Sequence, residues 1–85
     1  MALLLLRAPL SELAGARELE LEGGTVKDTL IALESSRPAI TGWVLDERRT
    51  IREHVNVYVN GQLAQEATPV GPTDRIHVLP AITGG

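Results

Sequence analysis

The chain opens on an apolar run of strand length over residues 2 to 7, Ala2-Leu3-Leu4-Leu5-Leu6 closed by Arg7. Such a run fits a strand buried on both faces, although periodicity alone does not separate that from a turn of helix. Pro9 and Gly15 then bracket what reads as a connecting segment. From Arg17 the pattern alternates as Glu18, Leu19, Glu20, Leu21, Glu22, the period-two signature of a half-buried strand. Gly23-Gly24 ends that strand, and an antiparallel hairpin with the first is the economical pairing, because strands consecutive in sequence usually neighbour. Thr25 has the chemistry of a helix N-cap, and Asp28 puts a carboxylate in the first turn, where the helix dipole favours it. Val26, Leu30 and Leu33 recur at i, i+4 and i+7 and Ile31 widens the stripe, predicting about three turns of helix with one face on the sheet. Pro38 closes the helix by disfavouring helical geometry at Arg37.

Residues 39 to 53 carry no clear period. Ile40, Trp43, Val44, Leu45 and Ile51 are apolar, whereas Asp46-Glu47-Arg48-Arg49 is a charged, turn-like cluster, so a short helical turn or irregular segment followed by a loop is expected. Val55, Val57 and Val59 then alternate with Asn56, Tyr58 and Asn60, and Asn60-Gly61 is the dipeptide preferred in two-residue hairpin turns. A short return strand is expected near Gln62-Leu63, turns at Pro69, Gly71 and Pro72, and a last strand from Arg75 to Leu79 before a tail from Pro80 to Gly85. The order is β-β-α-β-β(short)-β. One main helix on one face of a mixed four- to five-stranded sheet belongs to the α+β class, with a folded domain over residues 1–79 and a tail over 80–85.

Length and composition then narrow the functions open to it. At 85 residues, 44% hydrophobic and 22% charged, the chain has the makings of one globular domain. It holds no cysteine, which removes disulfides, zinc-thiolate sites and thiol nucleophiles. A net charge of -3 and only two aromatics, Trp43 and Tyr58, argue against nucleic acid and anionic membranes as partners. The N-terminal apolar run has no preceding Lys or Arg and is interrupted by Pro9 and Glu12, so a signal peptide is not expected and the cytoplasm is the expected compartment.

Catalytic chemistry is sparse. The only bases besides carboxylates are His54, at a strand entrance, and His77, in the last strand; without partner motifs they read as solvated or packed histidines, and no catalytic residue or metal site is expected. Gly23-Gly24-Thr25 before a helix lacks the Gly spacing and Lys of a phosphate loop, so a turn with an N-cap is the preferred reading. There remains Pro80-Ala81-Ile82-Thr83-Gly84-Gly85. Read without context it is an ordinary frayed end. Fully extended, however, six residues reach about 20 Å, and two residues without Cβ enter a narrow channel in another protein. Pro80 would stiffen the exit from the sheet.

The element order with this terminus resembles the ubiquitin-like β-grasp sulfur carriers: the thiamine-pathway carrier, the small subunit of molybdopterin synthase and the cysteine-biosynthesis carrier. The resemblance is carried by Leu13-Ala14-Gly15, Gly24-Thr25-Val26, Val55-Asn56-Val57-Tyr58-Val59-Asn60-Gly61, Asp74-Arg75-Ile76 and Leu79-Pro80-Ala81-Ile82-Thr83-Gly84-Gly85, which together span nearly the whole chain. The segment from Trp43 to His54 is longer than in the molybdopterin subunit and looks more like the cysteine-pathway carrier, and specialised sulfur carriers of secondary metabolism are similar too. Two departures stand out. The turn before the last strand usually has Gly between acidic residues, and here reads Gly71-Pro72-Thr73-Asp74, so Thr73 either avoids positive φ or the turn type differs. The aromatic that molybdopterin-type carriers show on the first strand is replaced by Arg7.

The resemblance implies a protein co-substrate, not an enzyme. A ubiquitin-activating-like enzyme would bind an exposed sheet face, with Leu63 and Leu79 at the family's apolar contact positions, and take in Pro80, Ala81, Ile82, Thr83 and Gly84. It would use ATP to adenylate the Gly85 carboxylate; sulfur from a persulfide or sulfide would displace AMP, and a second, biosynthetic enzyme would consume the Gly85 thiocarboxylate. No cofactor is expected on the carrier itself, and the free protein is expected to be a monomer. A ubiquitin-like modifier joined to lysines through the same tail, and a non-covalent β-grasp binding module, are the alternatives.

Overall fold

The computed structural model describes residues 1–80, and Ala81 to Gly85 lie outside the described residues. Five strands form one sheet: β1 (Ala2–Leu6), β2 (Glu18–Leu21), β3 (Val55–Val59), β4 (Gln62–Leu63) and β5 (Arg75–Pro80), in the order β2-β1-β5-β3-β4. β1 and β5 run parallel at the centre and the other neighbours are antiparallel. The expected β1–β2 hairpin forms, Leu4 opposite Leu19 and Ala2 opposite Leu21. Helix α2 (Val26–Ser36) covers one face of the sheet. This is the α+β, β-grasp arrangement expected from the pattern and the resemblance.

Thr25 caps α2 as predicted, with an extended backbone and its Oγ1 accepting from the Asp28 N–H at 3.2 Å. Val26, Thr29, Leu30 and Leu33 form the buried stripe. Thr29, a polar residue that the periodicity passed over, is fully buried, and its hydroxyl donates to the Thr25 carbonyl at 2.9 Å, so it enters the core without an unpaired group. The core joins these to Leu4, Leu6, Ile76, Val78 and Val57 from the sheet and to Ile40, Val44 and Leu45 from the segment after the helix.

Several expectations are corrected. The segment between Pro9 and Gly15 contains a short helix, α1 (Leu10–Ala14), which buries Leu10 and Ala14 and ends at Gly15 with a left-handed φ of 75°; five residues with three apolar positions are too few for a helical period to show. β1 is not buried on both faces: Ala2, Leu4 and Leu6 are buried while Leu3 and Leu5 are half-buried, because helices cover only one side of the sheet. The last strand continues through Pro80, which stands opposite Val55. On its other side β5 has already lost its partner, since Leu6–Val78 is the last β1 pair, and a residue without an N–H is tolerated at such a strand end. Of the two alternatives for the turn before β5, the first holds: Thr73 avoids positive φ. The turn is closed instead by Asp74, whose N–H donates to the Gly71 carbonyl at 3.1 Å while its Oδ2 accepts from the Gly71 N–H at 2.7 Å.

Residues 39 to 54 follow a defined path. A single 3-10 turn, Pro38–Ile40, is followed by a bridge between Leu45 and Ile51 around a tight Asp46–Thr50 loop. Two distant carboxylates hold this segment down. Glu34 Oε2 accepts from the Val44 and Leu45 N–H groups at 3.1 and 2.9 Å, and Glu66 Oε1 accepts from the Ile51 N–H at 2.9 Å.

Candidate functional site

Side-chain alternation in the sheet sorts the strand residues onto two faces. Pairs Leu4–Ile76, Leu6–Val78 and Val57–Val78 point into the core, so the intervening residues share the uncovered face. There Leu5 lies beside His77, His77 beside Tyr58 and Tyr58 beside Leu63, with Leu79 next along β5 and Leu3 next along β1. Glu18 and Glu20 of β2 flank this strip on one margin, Arg75 stands beside Leu3 on the same face, and Asn56 lies beside Leu79. Leu63 is 64% exposed and Leu79 half-buried. An apolar and aromatic strip crossing four strands with charged residues at its border has the make-up that suits a protein-docking surface.

The two leucines singled out from sequence therefore share one face. Leu3, Leu5, Tyr58 and His77 belong to it as well. Tyr58 and His77 are readable from strand parity once Val57 and Val78 are assigned inward; the outward leucines of β1 carry no such signal, because every neighbour is also apolar.

Strand β5 delivers the tail. It is flanked by paired strands over most of its length and ends at Pro80, beside the end of β1 and the start of β3. Its start is fixed by a clamp of side chains from two turns. Asn60 Nδ2 donates to Asp74 Oδ1 at 2.9 Å, and Asn60 Oδ1 accepts from the Arg75 N–H at 3.0 Å. Asn60 itself sits at φ 52° and Gly61 at φ 84°, the positive-φ pair of the predicted hairpin turn. The hydrogen bond from the Gly71 N–H, then that from Asn60, holds the Asp74 carboxyl below its ordinary pKa. Of the expected tail, Pro80 is thus a strand residue at the root, and Ala81, Ile82, Thr83, Gly84 and Gly85 lie outside the described residues.

Other candidate chemistry is dispersed. His54 is exposed at the entrance of β3 and His77 sits on the uncovered sheet face, so the histidines do not converge. Among the described residues no three His, Cys, Asp or Glu groups are arranged to hold a metal ion, and no helix is long and apolar enough to cross a membrane. The start of α2 has no spare donors for a phosphate. The Val26 N–H donates to Thr68 O at 2.9 Å, Lys27 N–H to Glu66 O at 3.0 Å and Asp28 N–H to Thr25 Oγ1. Gly23 serves close approach instead: a Cβ there would lie 2.4 Å from Thr29 Oγ1 and 2.7 Å from Thr29 N.

Comparison with known proteins covers the chain to residue 85. The ThiS family model matches residues 4–85, the whole tail included. Small archaeal modifier protein 1 of Haloferax volcanii is 35% identical, over 92% of this chain and 93% of that protein. The solution structure of small archaeal modifier protein 1 from Methanosarcina acetivorans superposes with a TM-score of 0.88 at 30% identity, covering 99% of this chain and 95% of that one. A chain of the Amycolatopsis orientalis BexX/CysO complex matches in fold, with a TM-score of 0.86 at 24% identity over the full length of both.

Proposed function

The chain belongs to the ThiS family of small ubiquitin-like carriers and modifiers, and on that premise we propose that it is a sulfur carrier whose Gly85 carboxylate is activated by a partner enzyme. The observation that carries this reading is that the family match runs through Gly85 while the central strand β5 ends at the margin of the uncovered apolar face. A partner that docks on that face is in position to take in the residues that follow. There the Gly85 carboxylate attacks the α-phosphorus of ATP and pyrophosphate leaves. Hydrosulfide then attacks the acyl carbon and AMP leaves, so that Gly85 ends as a thiocarboxylate for a sulfur-accepting biosynthetic enzyme. The carrier supplies no acid or base to either step. Its side chains dock and orient.

The test is intact-protein mass spectrometry of the chain with an untagged C-terminus, after incubation with ATP, a sulfide source and an adenylating enzyme from the same genome. A mass change equal to one oxygen replaced by sulfur, localised to Gly85, is expected. An unchanged mass beside an enzyme that demonstrably forms adenylate on another carrier counts against the reading.

A second reading, conjugation to protein lysines through the same tail, is favoured by the 35% identity to a protein named as a modifier. It starts from the same adenylate, with an amine as nucleophile in place of sulfide. Covalent adducts carrying this chain in a cell lysate, lost on deletion of Gly85, would distinguish it.

A further inference from the structure

The uncovered sheet face is not the only surface at the root of the tail. On the other side of Pro80 lies a groove of about 520 Å³ with an apolar wall of Pro9, Leu10, Trp43, Val55 and Pro80 and with His54 on its rim. Trp43, the chain's only tryptophan, is 50% exposed there, although its neighbours Val44 and Leu45 are buried. The backbone at this position is anchored by hydrogen bonds. The Trp43 N–H donates to Ile40 O at 2.9 Å, and Val44 and Leu45 are held by Glu34. Two of the charged groups beside the indole are engaged within the chain: Arg52 Nε donates to Gly42 O, and the Asp46 carboxylate accepts from the Arg48 N–H, the Thr50 N–H and the Thr50 hydroxyl, while the exposed Glu53 joins His54 at the rim.

We propose that this Trp43 groove is a second docking surface, and that its occupant is the lip of the tail-receiving channel of the activating enzyme, presenting an apolar side chain to the indole. The inference rests on the carrier reading above and follows from the length of chain beyond Pro80. Five residues, 81–85, span at most about 17 Å, of which Gly84 and Gly85 take up about 7 Å. A channel that closes around the two glycines and excludes water from the adenylate therefore begins within about 10 Å of Pro80. An enzyme surface that surrounds the tail at that distance rests on what borders Pro80 on both sides. One side is Leu79 and the uncovered face; the other is the groove, where Pro80 is itself part of the wall. A half-exposed tryptophan in an apolar recess, on a backbone anchored by hydrogen bonds, is the kind of residue that dominates an interface.

Two fluorinated forms of the intact chain test this without altering its surface, because it has one tryptophan and one tyrosine. 5-Fluorotryptophan reports on Trp43 in the groove and 3-fluorotyrosine on Tyr58 on the uncovered face. The probe is the adenylating enzyme that yields the Gly85 mass change. The Trp43 fluorine resonance is expected to shift or broaden on titration, and Trp43→Ala to raise the KM for the carrier in ATP–pyrophosphate exchange about tenfold with kcat retained, at unchanged secondary structure. A silent Trp43 resonance in a mixture where Gly85 gains sulfur overturns the second surface and leaves the carrier reading intact, and so does a KM change below about twofold. A Gly85 that gains no sulfur removes the enzyme, and both readings fall together.

Discussion

Gly23 shows how a single residue can matter by what it lacks. Its φ is not positive, so backbone conformation does not demand glycine. The constraint is the Thr29 backbone, 2.7 Å from where a Cβ would sit and unable to retreat because Thr29 N–H is bonded to Thr25 O at 3.0 Å. Gly23→Ala is expected to destabilise by about 1–3 kcal/mol, whereas Gly24→Ala, with nothing within 4 Å, stays within about 0.5 kcal/mol; urea denaturation of both variants checks the contrast. Asp74 sets a pH dependence at the same scale. Its folded pKa is depressed, so the native state binds its proton less readily than the unfolded chain does. The stabilisation is complete above the unfolded value, about pH 4, and is lost as pH falls through the folded value. Asp46 titrates in the same sense, held down first by the hydrogen bond from the Thr50 hydroxyl. The melting temperature of Asp74→Asn should fall below that of the parent at pH 7, with the gap closing near pH 2, and a gap that stays constant with pH refutes the assignment.

Among the elements, the segment from residue 39 to 54 differs most from what a sequence pattern conveys. Its apolar residues have neither helical nor strand spacing because its path is set by side chains from elsewhere, Glu34 from α2 and Glu66 from the loop after β4. Removing Glu34 leaves the N–H groups of two buried residues, Val44 and Leu45, without acceptors. Glu34→Ala should therefore cost about 1–3 kcal/mol per unpaired group. The loss should be local first, with amide exchange at Val44 and Leu45 accelerating well before that of β1 and β5. Uniform acceleration across the sheet would mean that the segment is not a separate unit. The β3–β4 hairpin is the opposite case, since alternation and Asn60-Gly61 placed it to the residue.

At the scale of the molecule, labour is divided, on the carrier reading proposed above, between a packed body and a reactive end. The core is continuous from α1 through α2 to the sheet and excludes the uncovered face and Leu63. Changes at the end of the tail should consequently leave stability alone while abolishing activation. Gly84→Leu is expected to melt with the parent and to form no Gly85 thiocarboxylate under conditions where the parent is fully converted. Normal conversion of that variant would show that the partner's channel is not narrow, and a large fall in melting temperature would show that the tail belongs to the fold.

Local chemistry settled much of this protein before any contact was known. The N-cap at Thr25, the stop at Pro38, the alternating β2 and β3 and the positive-φ turn at Asn60-Gly61 all act within a few residues, and such preferences are written directly in the sequence. So is the Gly-Gly terminus, whose meaning came from resemblance rather than from period or charge. The sheet order decided the rest: that Leu3 and Leu5 face outward, that Tyr58 and His77 join Leu63 and Leu79 on one face, and that Pro80 belongs to β5. The Trp43 groove also had to wait for the structure. It is assembled from residues near 9, 43, 54 and 80, and the segment that carries Trp43 is held by hydrogen bonds spanning 10, 11 and 15 residues. Contacts of that range depend on which strands neighbour in space, and only the folded chain fixes that.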